Sequence, residues 1–201
     1  MNKYEKRSRK SYNKKAEKYD STFDGKFTVK LNETLCDMIS TNNEDIIADV
    51  ACGNGRLLYM LAQKNSFKGY GVDLSEKMIL EAKKQNPKMN FFVAGCENLP
   101  FKNQEIDIMT VCAAFHHFPD IQKFAQEAGR VIKKNGELYI ADVYLPTFFR
   151  LICNPFVSLS KSGDVKLYSP KEIVELFENN GFVKNSVEIK GKFQLIKLQR
   201  I

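Results

Sequence analysis

A glycine turn between two apolar stretches is the feature that most constrains how this chain of 201 residues can fold. Residues 46–50 are too continuously apolar for a surface strand and are typical of a parallel strand covered on both faces. Gly53 and Gly55 permit backbone conformations that a side chain disfavours, and they let a ligand approach closely. Residues 57–61 then begin a helix whose free N–H groups face that ligand. The pattern predicts a nucleotide-like ligand at the turn.

The residues after the turn exclude two kinds of pyrophosphate site. A dinucleotide fingerprint needs a third glycine where Leu58 stands, and a phosphate-binding loop needs Gly-Lys-Ser/Thr where Gly55 is followed by Arg56 and Leu57. What remains is an acidic residue ahead of a small-residue turn, D-x-A-C-G-x-G. A second acidic residue, Asp73, follows where the next strand should end.

These two motifs resemble the S-adenosylmethionine site of the class I methyltransferases, and the pattern is most similar to the ubiquinone and menaquinone biosynthesis group. The resemblance implies S-adenosyl-L-methionine as cofactor and S-adenosyl-L-homocysteine as product. It also implies an α/β fold, a Rossmann-like three-layer sandwich with helices on both faces of a mostly parallel seven-stranded sheet. Regular β-α alternation followed by a hairpin, residues 182–189 and 193–198, agrees with that fold.

The same resemblance assigns roles to particular side chains. Asp73 would accept hydrogen bonds from both ribose hydroxyls. Asp49 would orient the glycine turn and hold the amino group of the cofactor, directly or through water, or would be purely structural. The expected cofactor-binding residues are Tyr19, Asp49, Ala51, Cys52, Gly53, Asn54, Gly55, Asp73, Leu74, Met78, Gly95, Cys96, Glu97, Cys112, Ala113 and His117.

One segment departs from the family pattern. Residues 94–101, A-G-C-E-N-L-P-F, resemble the family's D-A-E-x-L-P-F, in which the acidic residue binds the adenine amino group. Gly95 stands at that acidic position. The Cys96 N–H is therefore the expected adenine contact, and the amino group is left to water, to Glu97 or to a backbone carbonyl.

The candidates for catalysis are His116 and His117, which match the family's h-H-H-F segment. One of them would act as a general base or would position the substrate; alternatively both hold the loop by hydrogen bonds. Adjacent histidines without a third ligand make a poor metal site, so no metal is expected. The Asn/Asp-Pro-Pro-Tyr/Phe sequence with which nucleic-acid amino methyltransferases hold a flipped base is absent, which favours a small-molecule acceptor.

Charge and apolar patterning divide the single predicted domain, residues 1–201, into three parts. The first eighteen residues carry eight basic and two acidic side chains, a net +6 of the formal +7, and residues 1–28 are predicted to form a basic helical lid. Tyr12 and Tyr19 would line the site or anchor this arm. Residues 142–169 are apolar without a sustained period, and we interpret them as an insertion over the substrate cleft.

Composition restricts the surroundings of the protein. Five widely spaced cysteines without a C-x-x-C pair indicate neither a disulfide framework nor a zinc site. No apolar run reaches the roughly 20 residues of a membrane span, and the charged N-terminus is unlike a secretory signal, so a cytoplasmic protein is expected. Its oligomeric state is open.

The predicted reaction is in-line displacement at the sulfonium methyl, with a carbon, oxygen or nitrogen atom of a small molecule as acceptor. Two alternatives stay open. One is a methyltransferase of RNA or of the ribosome that uses the basic arm to bind nucleic acid. The other is a cofactor-binding module without catalysis.

Overall fold

The computed structural model describes all 201 residues as seven α-helices and seven strands. The helices are α1 (Lys3–Lys15), α2 (Phe23–Met38), α3 (Arg56–Ala62), α4 (Glu76–Gln85), α5 (Ile121–Val131), α6 (Thr147–Val157) and α7 (Pro170–Glu178). The strands are β1 (Ile46–Val50), β2 (Lys68–Asp73), β3 (Asn90–Val93), β4 (Ile106–Cys112), β5 (Ile132–Val143), β6 (Phe182–Lys190) and β7 (Phe193–Arg200). Two short 3₁₀ helices cover Ala16–Ser21 and Phe115–His117.

All seven strands form one sheet in the order β3-β2-β1-β4-β5-β7-β6. The first five strands of that order pair in parallel, and β7 is antiparallel to both β5 and β6. This topology confirms the predicted Rossmann-like fold with its closing hairpin. The strand order reverses between β1 and β4, and open α/β sheets bind ligands outside the carboxyl ends of the strands at such a point.

A hydrophobic core lies on each face of the sheet, as a three-layer sandwich requires. Helices α5 and α7 bury Phe124 and Phe177 against one face. Helices α2 and α3 bury Leu35 and Leu58 against the other, together with Ile79 of α4. The two faces of β1 therefore both meet apolar side chains, which explains its continuously apolar sequence.

Several helix ends follow directly from local sequence. The Ser75 hydroxyl accepts a hydrogen bond from Met78 N and begins α4, as predicted. Ser169 and Glu172 form a capping box at the start of α7, where Pro170 occupies a position whose missing N–H costs no hydrogen bond.

Two parts of the chain differ from the secondary structure that the sequence predicts. The sequence Lys134-Asn135-Gly136 predicts a turn ahead of a strand at residues 138–141, but residues 134–136 form a bulge within β5, because Ile132 already pairs with Ile106 of β4. Residues 147–157, predicted to have no regular period, form helix α6. Asn154 and Pro155 resemble a turn in sequence, but both lie in the last turn of α6, where Pro155 removes one backbone donor and the helix ends two residues later.

The N-terminal arm is attached mainly by polar contacts. Helix α1 buries no residue completely. Its Arg9 pairs with Glu76 of α4, and its Asn13 accepts a hydrogen bond from the Ser75 hydroxyl at 2.6 Å. Helix α2, which follows the arm, runs through residue 28 and packs into the core.

No helix of the structure combines the length and the apolar character that a membrane span requires.

Candidate active site

A cavity lies at the carboxyl ends of β3, β2, β1 and β4, and α1 covers it. It contains about 740 Å³ of unfilled space including its open mouth. Ten of the predicted cofactor-binding residues line it: Tyr19, Ala51, Gly53, Asp73, Leu74, Met78, Cys96, Cys112, Ala113 and His117. The arm adds Glu5, Ser8 and Tyr12, and the strand ends add Val50, Ala94, Ala114, Phe118 and Pro119.

The backbone at the floor of the cavity adopts uncommon conformations. Ala51 and Ala113, which follow the neighbouring strands β1 and β4, have φ values of 59° and 53°. Non-glycine residues with positive φ are costly and occur preferentially at functional sites. Gly53 has φ 53°, and a Cβ built there would meet no atom within 4 Å, so its backbone is open to a ligand.

Gly55 has a different role from Gly53. Its φ is 77°, and a Cβ there would lie 2.8 Å from Asn86 Nδ2 and 3.1 Å from Ala82 Cβ. The absence of a side chain at Gly55 therefore allows α3 to pack on α4, and this residue does not line the cavity.

Asp73 joins two of the strand ends. Its Oδ2 accepts a hydrogen bond from Gly53 N at 2.9 Å, and its Oδ1 accepts one from Ser75 N at 2.8 Å. Burial raises the pKa of Asp73, while the backbone N–H groups of Ser75, Gly53 and Leu74 oppose that effect. Each carboxylate oxygen retains a second lone pair that a hydroxyl in the cavity could use.

A smaller cleft borders the glycine turn and is lined by Asp49, Cys52 and Asn54. Asp49 is buried and accepts a hydrogen bond from the Thr110 hydroxyl at 2.7 Å; burial raises its pKa to about 7. The Asn54 amide donates to Asp20 at 2.7 Å, and Arg56 pairs with the same carboxylate. Asp20 thereby ties the arm to the turn.

The arm brings a carboxylate to the position where the sequence lacks one. Gly95 itself does not line the cavity, but a Cβ built on it would lie 3.4 Å from Glu5 Oε1. The other oxygen of Glu5 accepts a hydrogen bond from Asn2 N in the capping box of α1, and the Glu5 side chain is 12% exposed. Glu97 points elsewhere, with an oxygen 3.8 Å from Lys123 Nζ.

The paired histidines lie at the end of β4 and have different partners. His116 Nδ1 is 2.6 Å from Asp142 Oδ1, and Asp142 also accepts a hydrogen bond from His116 N. Burial opposes protonation of His116, but Asp142 outweighs it and raises the pKa of the imidazole. His116 does not line the cavity, whereas His117 does.

His117 lies between the arm and the loop that follows α6. Its Nε2 is 3.1 Å from the Tyr12 hydroxyl, and its Nδ1 is 2.9 Å from Asp164 Oδ1. Burial lowers the pKa of His117, the neighbouring His116 lowers it further, and Asp164 opposes both. Burial likewise disfavours the charge of Asp164, but the adjacent imidazole of His117 lowers the pKa of that carboxyl to about 2.

Asp164 is a partner that the sequence does not indicate, because 47 residues separate it from His117. One ligand atom each from His116, His117 and Asp164 lie within 4.8 Å of one another, close enough to share a cation. The sequence does not indicate Glu5 either, because Glu5 is also distant along the chain from the residues that it approaches. Only the paths of α1 and of residues 158–164 bring these side chains to the strand ends.

Another cleft adjoins the cavity and shares Tyr12, Tyr19, Ala113 and His117 with it. We call it the aromatic cleft, because Phe23 and Phe27 of α2 line it as well. Its polar lining consists of His116, His117, Ser162 and Asp164 on one part and of Asp24 and Thr28 of α2 on another. An apolar ligand there would reach the same imidazole that faces the cavity.

Comparisons with known proteins agree with the fold. Residues 48–140 match the family described as a methyltransferase domain. A demethylmenaquinone methyltransferase of Thermotoga maritima is 28% identical over 205 residues, covering 90% of each chain. The ubiquinone/menaquinone biosynthesis C-methyltransferase UbiE of Rickettsia felis is 32% identical over 154 residues, covering 65% of this chain and 61% of that enzyme. A solved Haloferax volcanii methyltransferase, in complex with the Trm112 activator, has a TM-score of 0.83 at 18% identity and covers 96% of each chain.

The sheet order and the glycine turn are those of a Rossmann-like methyltransferase fold, and the matched domain supports the same class. More narrowly, the chain is similar to the class I S-adenosylmethionine-dependent methyltransferases that its motifs predict, and these similarities support S-adenosylmethionine as its cofactor. The cavity fits that molecule. It combines an acceptor carboxylate at the end of β2, open backbone at Gly53 and an apolar slot between Leu74, Ala94 and Cys96.

Replacing Asp73 by asparagine should weaken the binding of S-adenosylhomocysteine by about 1.5–3 kcal/mol, because hydrogen bonds from ribose hydroxyls to a charged acceptor are lost. Isothermal titration calorimetry measures the change. Asp45→Asn is the matched control, since Asp45 accepts a backbone hydrogen bond in a turn far from the cavity. Equal affinities for the two variants would remove Asp73 from the cofactor site.

Proposed function

We propose that this protein transfers the methyl group of S-adenosylmethionine to a hydroxylated aromatic ring of a small molecule. The observation that carries the proposal is the position of His117 in the wall between the cofactor cavity and the aromatic cleft. The similar demethylmenaquinone methyltransferase and ubiquinone/menaquinone biosynthesis C-methyltransferase support a ring of the quinone-precursor type.

The cofactor supplies an activated sulfonium methyl, so the protein needs to bind, orient and desolvate the reactants. In this proposal the apolar slot takes the adenine ring, Asp73 takes the ribose hydroxyls, and the glycine turn with Asp49, Asn54 and Tyr19 surrounds the amino-acid end. The acceptor ring then packs among Tyr12, Phe23 and Phe27 in the aromatic cleft. Ring stacking suits a planar acceptor.

His117 has the protonation state that a general base requires. Because its pKa lies below the ordinary value of about 6.5, the imidazole is neutral at pH 7. Asp164 next to Nδ1 favours the tautomer with the proton on that nitrogen, which leaves the lone pair of Nε2 beside the Tyr12 hydroxyl. We assign to Nε2 the proton that leaves the acceptor hydroxyl as the new bond to the methyl group forms.

The positions of Glu5 and Gly95 suggest how this chain recognises adenine. Glu5 Oε1 has no hydrogen-bond partner within the protein and lies beside the apolar slot. It is placed to accept a hydrogen bond from the exocyclic amino group of adenine, the role that the family gives to an acidic residue at position 95. The arm would then contribute directly to cofactor specificity.

Two rival functions have less support. An RNA methyltransferase would need basic side chains at the site to hold the phosphate backbone, but neither the cavity nor the aromatic cleft is lined by a lysine or an arginine. A non-catalytic module would not need His117, Asp164 and Tyr12 arranged around one imidazole. Release of S-adenosylhomocysteine in the presence of a panel of hydroquinones and phenols tests the proposal. Cofactor binding without turnover on any ring would favour the module.

Glu5→Gln should raise the dissociation constant of S-adenosylhomocysteine about tenfold and reduce its discrimination from the inosine analogue, which has no amino group to donate. Gly95→Asp in the Glu5→Gln background should restore both quantities. Gly95→Asp alone should give no gain, because the new carboxylate would lie against Glu5. Glu17→Gln, on the exposed end of the arm, is the control. An unchanged inosine ratio in Glu5→Gln would separate this residue from adenine recognition.

His117→Gln should lower kcat about 100-fold while leaving the affinity for S-adenosylhomocysteine within a few-fold, because only the proton acceptor is removed. In the wild type, kcat/KM should fall with acid through a pKa below about 6.5. Asp164→Asn should move that acid limb to still lower pH, since Asp164 raises the pKa of His117. A profile that is the same in all three proteins would contradict the assignment.

Removal of metal distinguishes a proton acceptor from a cation site at His116, His117 and Asp164. Under the proposed mechanism, dialysis against EDTA leaves kcat unchanged. Loss of activity that added Zn²⁺ restores would instead assign these three side chains to a bound cation.

A further inference from the structure

Helix α6 has its apolar side turned outward. Arg150, Cys153, Asn154 and Val157, one helical face, lie toward the protein and are only partly exposed. The outward residues are large and apolar, and each is at least 52% exposed: Phe148, Phe149, Leu151, Ile152 and Phe156, with Leu159 just beyond the helix. A surface helix normally has the reverse arrangement.

Polar contacts hold α6 in this orientation. The Asn154 side chain donates to Leu167 O at 3.1 Å and accepts from Leu167 N at 2.9 Å. The Arg150 side chain is 12% exposed and lies 3.8 Å from Glu172. Rotating α6 to bury its apolar side would break these contacts, so the apolar face is a fixed feature of the fold.

A cationic surface continues from the apolar face. Lys3, Lys6, Arg7, Lys10 and Lys14 recur at helical spacing and form one side of α1, opposite the side that lines the cavity. Arg7 Nη1 donates to Ser158 O at 3.1 Å, immediately after α6. Gly163 packs against the backbone of α1 at Tyr4 and Ser8. The only acidic residue of α1, Glu5, faces the cavity.

We propose that the outward face of α6 and the cationic side of α1 together dock onto a membrane surface that contains anionic lipids. Exposed Phe and Leu side chains can enter the boundary between headgroups and acyl chains, and neighbouring Lys and Arg side chains attract anionic headgroups. The apolar and the cationic parts are adjacent, which is the arrangement that interfacial binding uses.

A second copy of the chain is a poorer occupant. A symmetric dimer through this surface would bring two cationic sides of α1 together, and like charges that face one another oppose association. A lipid surface with negative headgroups has no such restriction.

Docking would give the active site access to acceptors dissolved in the bilayer. The loop after α6 ends at Asp164 beside His117, and Ser162 and Asp164 border the aromatic cleft. This consequence rests on the proposed function. Docking itself does not, because it can be measured without methyl transfer.

The absence of tryptophan from the chain allows a direct test. Phe156→Trp provides a single fluorophore on α6, and Leu80→Trp, an exposed site on α4, provides the control. Vesicles of phosphatidylcholine mixed with phosphatidylglycerol should shift the emission of the Phe156→Trp variant to the blue and leave that of the Leu80→Trp variant unchanged. Unshifted emission from both proteins, or an equal shift in both, would overturn the proposal.

Sedimentation with the same vesicles separates the two parts of the surface. Phe148→Ser/Phe156→Ser and Lys6→Glu/Lys10→Glu should each reduce vesicle binding at least tenfold. The controls Leu80→Ser/Ile189→Ser and Lys88→Glu/Lys184→Glu, all at exposed positions, should not. Vesicles of phosphatidylcholine alone should bind the wild type weakly, and salt should weaken binding to the mixed vesicles.

Three results would contradict membrane docking. Vesicle binding that the α6 variant retains would place the contact elsewhere. Binding that only the lysine variant loses, and that RNA competes away, would indicate a nucleic-acid surface. Concentration-dependent dimerisation that Phe148→Ser/Phe156→Ser abolishes would indicate a contact between copies of this chain. If docking is found but no ring is methylated, only the proposed function fails.

Discussion

The carboxylate of Asp73 is the contact on which the site depends. It accepts hydrogen bonds from Gly53 N and Ser75 N, and so connects the turn after β1 with the start of α4. Backbone N–H groups at such turns need partners when they are buried. One side chain therefore holds the strand ends in register and presents its remaining lone pairs to the cavity. Loss of its charge would affect the shape of the floor as well as ligand binding.

The arm completes a site that the sheet leaves open. Its inner side contributes Glu5, Ser8 and Tyr12, while Asp20 fastens its end to Asn54 and Arg56 of the glycine turn. Gly95 and Glu5 are best understood together. A Cβ at position 95 would meet Glu5 Oε1 at 3.4 Å, an ordinary contact, but an acidic side chain there would place a second carboxylate against that of Glu5.

Sequence patterns predict the fold and the floor of the site because both are local. The apolar run of β1, the turn at Gly53 and the cap at Ser75 each follow from a few neighbouring residues. Glu5 and Asp164 could not be predicted, since they reach the site through the packing of α1 and of the loop after α6. The period of α6 was missed for another reason. Asn154 and Pro155 resemble a turn and interrupt the apolar residues on both sides of them, so the sequence does not indicate a helix there.

The way the arm is attached implies that it can open without unfolding the domain. Its ion pairs, Arg9 with Glu76 and Lys15 with Asp24, lie at the surface and are partly exposed, and surface pairs contribute about 0–1 kcal/mol each. No residue of α1 is fully buried, so lifting the helix exposes little apolar core. Yet α1 covers the cavity. Opening of the arm is therefore the low-cost motion by which a cofactor could enter and leave, while the two hydrophobic cores stay intact.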